Sequence, residues 1–562
     1  MSRPIRLVEC VPNFSEGRDK DKIQAIAREI ESTPGVKLLD VDPGESTNRT
    51  VVTFIGAPEA VGEAAFRAIK KAAEVIDMRR HKGAHSRIGA TDVCPFVPVS
   101  GVTMADCVSL ARDLGRRVAD ELGIPVYFYE EAATSPDRRN LAAIRSGEYE
   151  GLADKMKDPE WTPDCGGAGF NARSGATVIG AREFLIAYNI NLNTRDRKLA
   201  GEIALNIRES GRVQRDAGGE IVRDAAGNSI KLPGKFEHVK AVGWYIEDYG
   251  IAQISINFTN YKVTPIQAVF DEVVLQALRL GLRVTGSELV GLIPKEALLS
   301  AGRHYLENQG KSPGVPDDEL VRTAVLSLGL NDVVPFDPKK KIIEHQFEDR
   351  ANLLVGKSLR AFADELSMDS PAPGGGSVAA LCGALSAGLS SMVANLTVGK
   401  KGYEKAFTEM KKTAVRAQRL KDEYLGQVDR DADAFNRVMD AVRLPKTTED
   451  QKKERDAMVE SATKEATLVP FQVLEKSIDL LKLAKKTAQK GNRNSMSDAG
   501  VAALAAKTAA EGAYYNVRIN LPGIQDKGFR TGTKRKAAAL RRRACRLAEE
   551  ISRFVEKEFN KR

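Results

Sequence analysis

The sequence predicts two unlike folds in one chain: an α+β half built from two ferredoxin-like βαββαβ subdomains, followed by an all-α helical-bundle domain. Three observations carry that expectation. Strand-like and helix-like segments alternate through residues 6–293 in the order βαββαβ, and that order occurs twice. A break rich in proline and lysine, VVPFDPKKK, follows at 333–341. Beyond it the apolar residues recur at helical spacing over long stretches, with no two-residue alternation.

In the first unit 6–14 reads as a strand, 19–32 as an amphipathic helix, and 36–41 and 49–55 as strands around a turn containing Pro43-Gly44. A helix at 58–76 and a strand at 93–99 complete the motif, and a helix at 104–122 and a strand at 124–129 extend it. The second unit reads strand 184–192, helix 195–210, paired strands 238–248 and 252–259, helix 265–280 and closing strand 283–293. Two such sandwiches leave a groove between them. The segment 213–233, rich in Gly, Asp, Asn and Arg, reads as a surface hairpin excursion. Helices are expected at 359–368, 376–398, 403–442, 447–490, 497–518 and 534–559. The implied division is 1–183, 184–332, a linker at 333–345, and a helical domain at 346–562. Two unlike folds suggest two activities.

Composition narrows the class. A chain of 562 residues with 42% hydrophobic and 29% charged residues is neither disordered nor collagen-like. Six scattered cysteines without a C-x-x-C point to reduced thiols in the cytoplasm, against a zinc ribbon or a secreted disulfide scaffold. The start, MSRPIRLVEC, lacks the apolar core of a signal peptide. Residues 374–398 contain no charge, but they are mostly Gly, Ala and Ser and include Asn395. That fits a closely packed helix in a core or subunit interface better than a lipid-facing span. The net charge of +9 is concentrated at 534–562, where eleven Lys/Arg face four Glu. Such a face meets RNA, a subunit or a polyanionic small molecule, and most often only solvent.

Histidine is scarce, yet two of the five, His81 and His85, fall in one loop, RRHKGAHSRIGATDVCPF. Their H-x-x-x-H spacing is that of a zinc helix, but Gly83 weakens a helix there and the Glu of H-E-x-x-H is missing, so no metal is expected. An acid–base histidine among Arg80, Lys82 and Arg87, poised for an anionic substrate, fits better. In LLDVDPGESTNRTVV, Asp42 and Arg49 sit at the ends of adjacent strands, where a carboxylate orients an imidazole or pairs with an amine. Turn chemistry alone accounts for the same residues. The stretch PDCGGAGFNARSGATVIGAR at 163–182 lets backbone N–H groups approach a flat or anionic ligand, although a linker between subdomains would look the same.

In the helical half SPAPGGGS sets Gly374, Gly375 and Gly376 before a helix that begins near Ser377, a place for an anion but without the lysine of a P-loop. In GNRNSMSDAG, Ser497 or Asp498 is placed to cap the next helix. The run QVDRDADAFNRVMDAV is sharper. With Asp431 as origin of a helical wheel, Tyr424 and Val442 fall at about +20°, Phe435 at about +40°, Val428 at about +60° and Val438 at about −20°. Asp431 thus lies in the apolar stripe, whereas Asp429, at about 160°, lies on the wet face. A carboxylate in an apolar seam has its pKa raised and suits acid–base work near neutral pH, unless it is a structural ion pair across the bundle.

These residues resemble a known family. LVECVPNFSEGRD, DVDPGESTNRTVVTF, HKGAHSRIGATDVCPF and GATVIGAREFLIAYNINLNT are similar to glutamate formimidoyltransferases, and SPAPGGGSVAAL, DRDADAFNRVM and GNRNSMSDAG to formimidoyltetrahydrofolate cyclodeaminases. Together they resemble the bifunctional formimidoyltransferase-cyclodeaminases of histidine degradation over nearly the whole chain. The resemblance implies that tetrahydrofolate N5 attacks the amidine carbon of N-formimidoylglutamate, with His85 as the catalytic base and Asp42 supporting it. By charge, Arg49 or Arg87 would hold a substrate carboxylate. The family's folate-binding stretch falls on Gly166, Gly167, Ala168, Gly169, Phe170, Asn171, Ala172, Arg173, Ser174 and Gly175. Ring closure with loss of ammonia would follow in the helical half, where the wheel selects Asp431 from the D-x-D-A-x-A-F motif. The resemblance further implies polyglutamylated tetrahydrofolate as co-substrate, a homo-oligomer formed through the helical half, and neither metal, nucleic acid nor membrane as partner. Formyl transfer from N-formylglutamate with a methenyltetrahydrofolate cyclohydrolase, or a basic polyanion-binding scaffold, are the competing expectations.

Overall fold

A computed structural model describes residues 6–45, 48–83, 85–167, 169–224, 227–247, 249–346, 353–370 and 372–561. Packing divides the chain into two compact units, the first ending at Pro294 and the second beginning at Lys295.

The first unit opens with β1 (Leu7–Cys10), β2 (Asn13–Phe14), α1 (Lys20–Glu31), β3 (Val36–Gly44), β4 (Arg49–Gly56), α2 (Pro58–Val75), β5 (Thr91–Ser100), α3 (Met104–Leu122) and β6 (Val126–Glu130). The short helices α4 (Leu141–Arg145) and α5 (Glu148–Lys155) lead to β7 (Thr177–Ala181). β1 and β2 are two pieces of one line between β4 and β5, antiparallel to both. β3 flanks β4, and β7 lies between β5 and β6, parallel to each. Helices α1, α2 and α3 cover one face through Val8, Cys10, Phe54 and Phe96, as the alternation predicts. On the other face α4 and α5 cover only the β5–β7–β6 end, through Tyr127, Tyr129 and Val178. Elsewhere that face is partly open: along β4, Thr50, Val52 and Phe54 are buried while Arg49, Val51 and Thr53 are half-exposed, although Glu9, Ile55 and Val97 are buried on it.

β7 is a difference from the sequence expectation, which has only glycine-rich chain there. All five of its residues are buried, because a strand held in parallel from both sides and covered above and below shows no polar alternation.

The second subdomain runs β8 (Ile186–Leu192), α6 (Arg197–Ile207), a small hairpin β9 (Arg212–Val213) and β10 (Lys231–Leu232), then β11 (Val239–Ile246), β12 (Ile251–Phe258), α7 (Ile266–Arg279) and β13 (Val284–Val290). Its order, β11-β12-β8-β13, is the ferredoxin-like one. The hairpin is the expected excursion. Ile186, Tyr188, Ile190 and Leu192 alternate toward the buried side with Ala252, Ile254, Ile256 and Phe258, so Asn189, Asn191 and Gln253 point the other way. A cavity of about 340 Å³ is lined jointly by Tyr129, Glu130 and Arg182 of the first subdomain and Leu185, His238 and Lys240 of the second.

The second unit starts with two helices outside the sequence expectation, α8 (Lys295–Asn308) and α9 (Asp317–Ser327), followed by α10 (Pro338–Lys341) and α11 (Leu359–Leu366). Five long helices follow: α12 (Gly375–Asn395), α13 (Phe407–Arg443), α14 (Glu449–Lys490), α15 (Met496–Asn520) and α16 (Lys527–Phe559). The unit begins upstream of the 333–345 break because the α8–α9 loop is pinned to the bundle. Ser391 Oγ and Asn395 Nδ2 donate to the Gly314 carbonyl at 3.1 and 2.8 Å. α12 is the hub, packed on α13, α14 and α15. By length and hydropathy it could cross a membrane, but 61% of its most apolar window is buried in the bundle.

Small residues set how closely these helices approach. Ser386 Oγ on α12 donates to the Ala502 carbonyl on α15 at 2.7 Å. Gly383 lies under the ring of Tyr424, whose hydroxyl donates to the Val473 carbonyl at 2.7 Å, and a β-carbon on Gly383 would come within 3.0 Å of that ring. Gly383→Ala should therefore overpack the bundle by about 1–3 kcal/mol. Thermal unfolding of the full chain should show the helical unit melting several degrees lower; an unchanged profile would mean that Tyr424 has room to move.

Candidate active sites

The loop from His81 to Ala90 is held from three sides. Ala90 N–H donates to the Ser174 carbonyl at 2.8 Å, Met78 N–H to the Arg173 carbonyl at 2.9 Å, and Ser15 Oγ to the Gly89 carbonyl at 2.7 Å. Gly89 and Gly175 face each other so closely that a β-carbon on either would sit within 3.0 Å of the opposite backbone. Gly175 also has φ +68°, a conformation that glycine adopts without strain.

Within this loop the two histidines do different things. His81 has both ring nitrogens engaged: Nε2 lies 2.9 Å from the Asn48 carbonyl, and Nδ1 accepts from Arg87 Nε at 3.2 Å. Arg87 is buried and donates to Glu148 at 2.8 Å and to Glu150 at 2.7 and 2.8 Å, so its guanidinium is spent within the fold. His85 instead has Arg49 Nη1 at 2.6 Å from Nε2. Because guanidinium only donates, Nε2 carries the lone pair and the ring is neutral with its proton on Nδ1. Burial and the charges of Arg49 and Arg145 push His85 below the ordinary histidine pKa; Asp92 opposes them. Asp92 is fully buried, accepts from Ile88 N–H at 3.0 Å and forms an ion pair with Arg145. Asp42, exposed on β3 opposite Val51, acts on Arg49 by charge. The arrangement is a neutral base between two cations, suited to an anionic substrate whose carboxylate draws Arg49 away.

Of the glycine-rich stretch, Ala168 lies outside the described residues. The structure joins the rest to the histidine loop. Asn171 Oδ1 accepts from the amides of Arg173 and Ser174, at 3.2 and 3.0 Å. Arg173 donates to the Ala73 and Glu74 carbonyls at the end of α2. Gly166 and Gly167 have φ +90° and +65°. Phe170 is exposed, with its ring centroid 5.8 Å from that of Tyr149.

One acid escaped the sequence reasoning. Glu9 on β1 is buried on the face away from α1–α3, and burial pushes its carboxyl up to about 7 against the pull of Arg182. A charged residue inside an otherwise apolar strand, LVEC, was the available signal.

In the second unit Asp431 lies beneath the first turn of α12. Its carboxyl group occupies the space a β-carbon on Gly376 would need. Burial raises its pKa, opposed by the Ser377 amide and hydroxyl. The same hydroxyl donates to the Val428 carbonyl at 2.8 Å, which ties the first turn of α12 to α13. Gly374 is the N-cap of α12, and Gly375 and Gly376 are its first residues. Asn516 Nδ2 stands 3.5 Å from the position of a β-carbon on Gly375.

Two expectations about this half need correction. Asp429 is not on a wet face: it is half-buried and accepts from Leu354 N–H at 2.6 Å, because the turn Leu354–Gly356 covers that side of α13, which a single-helix wheel cannot see. Ser497 and Asp498 do not cap α15. The helix already starts at Met496 with Ser495 as N-cap, and no side chain bonds there. Nor do they approach Asp431. α15 runs antiparallel to α12, so their loop meets the other end of α12, where Asn492 N–H donates to Thr397 Oγ1 at 2.8 Å.

Comparison with known proteins adds a second line. Residues 7–182 match the family described as formiminotransferase domain, N-terminal subdomain; 187–348 match formiminotransferase domain; 358–539 match formiminotransferase-cyclodeaminase. The chain is 43% identical over 538 residues to the formimidoyltransferase-cyclodeaminase of Rattus norvegicus, covering 95% of this chain and 96% of the relative. It is 44% identical over 556 residues to that of Gallus gallus, covering 98% and 99%. A methenyltetrahydrofolate cyclohydrolase of Methylorubrum extorquens is 37% identical over 204 residues, 36% of this chain and 98% of that protein.

The electrostatics of His85 are open to direct measurement. By NMR its ring should titrate below the ordinary histidine range, and Arg49→Gln should move the midpoint upward, since a cation that opposes protonation has gone. Identical titrations in both proteins would show that Arg49 does not hold the ring neutral.

Proposed function

The chain belongs to the formimidoyltransferase-cyclodeaminase family, and from that membership and the two sites we infer how its halves divide one reaction sequence. It is a bifunctional enzyme of folate one-carbon metabolism. It transfers the formimidoyl group from N-formimidoyl-L-glutamate to tetrahydrofolate, then cyclises 5-formimidoyltetrahydrofolate to 5,10-methenyltetrahydrofolate with release of ammonia.

His85 is our candidate for the transfer base, supported by its neutral imidazole between Arg49 and Arg145. As tetrahydrofolate N5 attacks the amidine carbon, Nε2 takes the N5 proton and returns it to the departing amine of glutamate. Arg49, released from His85, holds a carboxylate of the donor, and Asp42 tempers its charge. Arg87, with its donors filled, serves the loop and not the substrate. The stretch from Gly166 to Gly175 borders the folate, with Phe170 presenting an exposed ring.

In the helical half Asp431 is the proposed acid. N10 attacks the formimidoyl carbon, and the carboxyl, its pKa raised by burial, delivers a proton to the leaving ammonia. The basic face of α16 is the proposed resting place of the polyglutamate tail of the folate, and the helical half the proposed site of homo-oligomer formation. We place the enzyme in the cytoplasm, with neither metal, nucleic acid nor membrane as partner. The similarity of the helical half to a methenyltetrahydrofolate cyclohydrolase favours a second reading for that half alone, hydrolysis of the methenyl bridge.

The two sites should separate cleanly. His85→Ala should lower formimidoyl transfer by about 10²–10⁴-fold and leave ammonia release from supplied 5-formimidoyltetrahydrofolate intact; Asp431→Asn should do the converse. Loss of both activities in either folded variant would overturn the two-site assignment, and absence of ammonia in the wild type would favour the hydrolase.

A further inference from the structure

The face of the second sheet turned away from its helices carries polar side chains that the helix layer does not explain. The strand register sets Ser255, Asn189 and Glu288 in one cross-strand row and Trp244, Gln253 and Asn191 across neighbouring strands in the next. Asn191 and Gln253 are fully buried and Asn189 nearly so, on the side away from the apolar core. They are linked: Trp244 Nε1 donates to Gln253 Oε1 at 3.1 Å, and Gln253 Nε2 to Asn191 Oδ1 at 2.7 Å. Buried amides of this kind fix a side chain's position at the cost of desolvation, which is repaid only if the array is satisfied.

The array ends on Glu288. Its carboxylate accepts from Asn189 Nδ2 at 3.2 Å, Tyr249 Oη at 3.1 Å and Gln253 Nε2 at 3.5 Å. All three donors are neutral, and all three bonds are longer than the about 2.7–2.9 Å of a charge-assisted bond. A carboxylate has about four lone-pair sites, and these long contacts leave room on both oxygens. The same face continues toward Leu185 and Lys240, two residues before Ala187 and Val242 in the alternation, and both line the cavity shared with Arg182 and Glu130.

We propose that Glu288 is a recognition residue of the transferase, its two oxygens accepting a planar N–C–N pair of donors. The proposal rests on the transfer reaction assigned above. Two groups in that reaction carry such an edge: the amidine of the one-carbon donor, and the N3–H and 2-amino edge of the pterin. A formyl donor presents an oxygen lone pair where the amidine presents N–H. A carboxylate that meets the amidine therefore selects formimidoyl over formyl, and one that meets the pterin selects the carrier.

The test is steady-state kinetics on the full chain carrying Glu288→Gln, with the KM of each substrate measured separately and the melting temperature alongside. One KM should rise by about 10- to 100-fold, the loss of a hydrogen bond to a charged group, with kcat within about threefold and ammonia release from supplied 5-formimidoyltetrahydrofolate unchanged. A rise confined to formimidoylglutamate identifies the amidine; one confined to tetrahydrofolate identifies the pterin. Glu288→Asp, which keeps the charge, should recover part of the loss. Two unchanged KM values would overturn the proposal, as would a parallel rise of both with lowered melting in both variants, the mark of a purely structural role. A wild-type chain without transfer activity would instead sink the assigned reaction, before any variant is made.

Discussion

The carboxyl group of Asp431 stands where a β-carbon of Gly376 would be, and the second site depends on that vacancy. Only with hydrogen at that position does α13 bring an acid against the first turn of α12, where backbone N–H groups are free to meet it. The first unit obeys the same constraint. Gly89 and Gly175 bring two backbone segments together more closely than side chains allow, and that contact fixes the histidine loop against the strand-like run leading into β7. Glycine acts at these places through the β-carbon it lacks. It removes an obstacle, so that a functional segment and its support share one position.

From these anchors the two sites are tuned in opposite directions. His85 is kept unprotonated by burial and by positive neighbours, Arg49 and Arg145, with buried Asp92 as partial counter-charge. Asp431 is pushed above the ordinary carboxylate range by burial, while the Ser377 amide and hydroxyl pull the other way. Each shift carries its group toward the same working range: the imidazole toward readiness to accept, the acid toward readiness to donate. That matches the chemistry in sequence. Transfer begins by removing a proton from the attacking nitrogen; cyclisation ends by supplying one to leaving ammonia.

Much of the fold was legible because alternation and helical spacing report burial on one side, and most elements have one side wet. The pattern failed where that condition failed. β7 is covered on both faces and five residues long. Asp429 looks wet from α13 alone, but a turn some seventy residues upstream sits on it. At the first site the cluster of His85 with cations was readable in the loop, yet the cations that bear on it are Arg49 and Arg145, from β4 and α4, whereas neighbouring Arg87 is consumed by Glu148 and Glu150. Charge near in sequence was a fair guide to the kind of site and a poor one to its contacts. Glu9 and Glu288 were visible as acids in strands, but which face they occupy follows from register, which spans strands far apart in the chain.

The two glycine-bearing loops of the helical half show how differently similar motifs are used. SPAPGGGS delivers the first turn of α12 to Asp431. GNRNSMSDAG lies at the opposite end of that helix, roughly 30 Å away at ~1.5 Å per residue. There Asn492 N–H bonds Thr397 Oγ1, Lys400 Nζ donates to Asn492 Oδ1 at 3.0 Å, and Arg493 N–H donates to Tyr403 Oη at 3.0 Å. These bonds lock the turn between α14 and α15 onto the far end of α12. Because α12 is a single unbroken helix packed on three others, fixing that end also fixes the angle at which its first turn meets Asp431. Within one chain, the second loop therefore acts on the acid only through the rigidity of the helix between them.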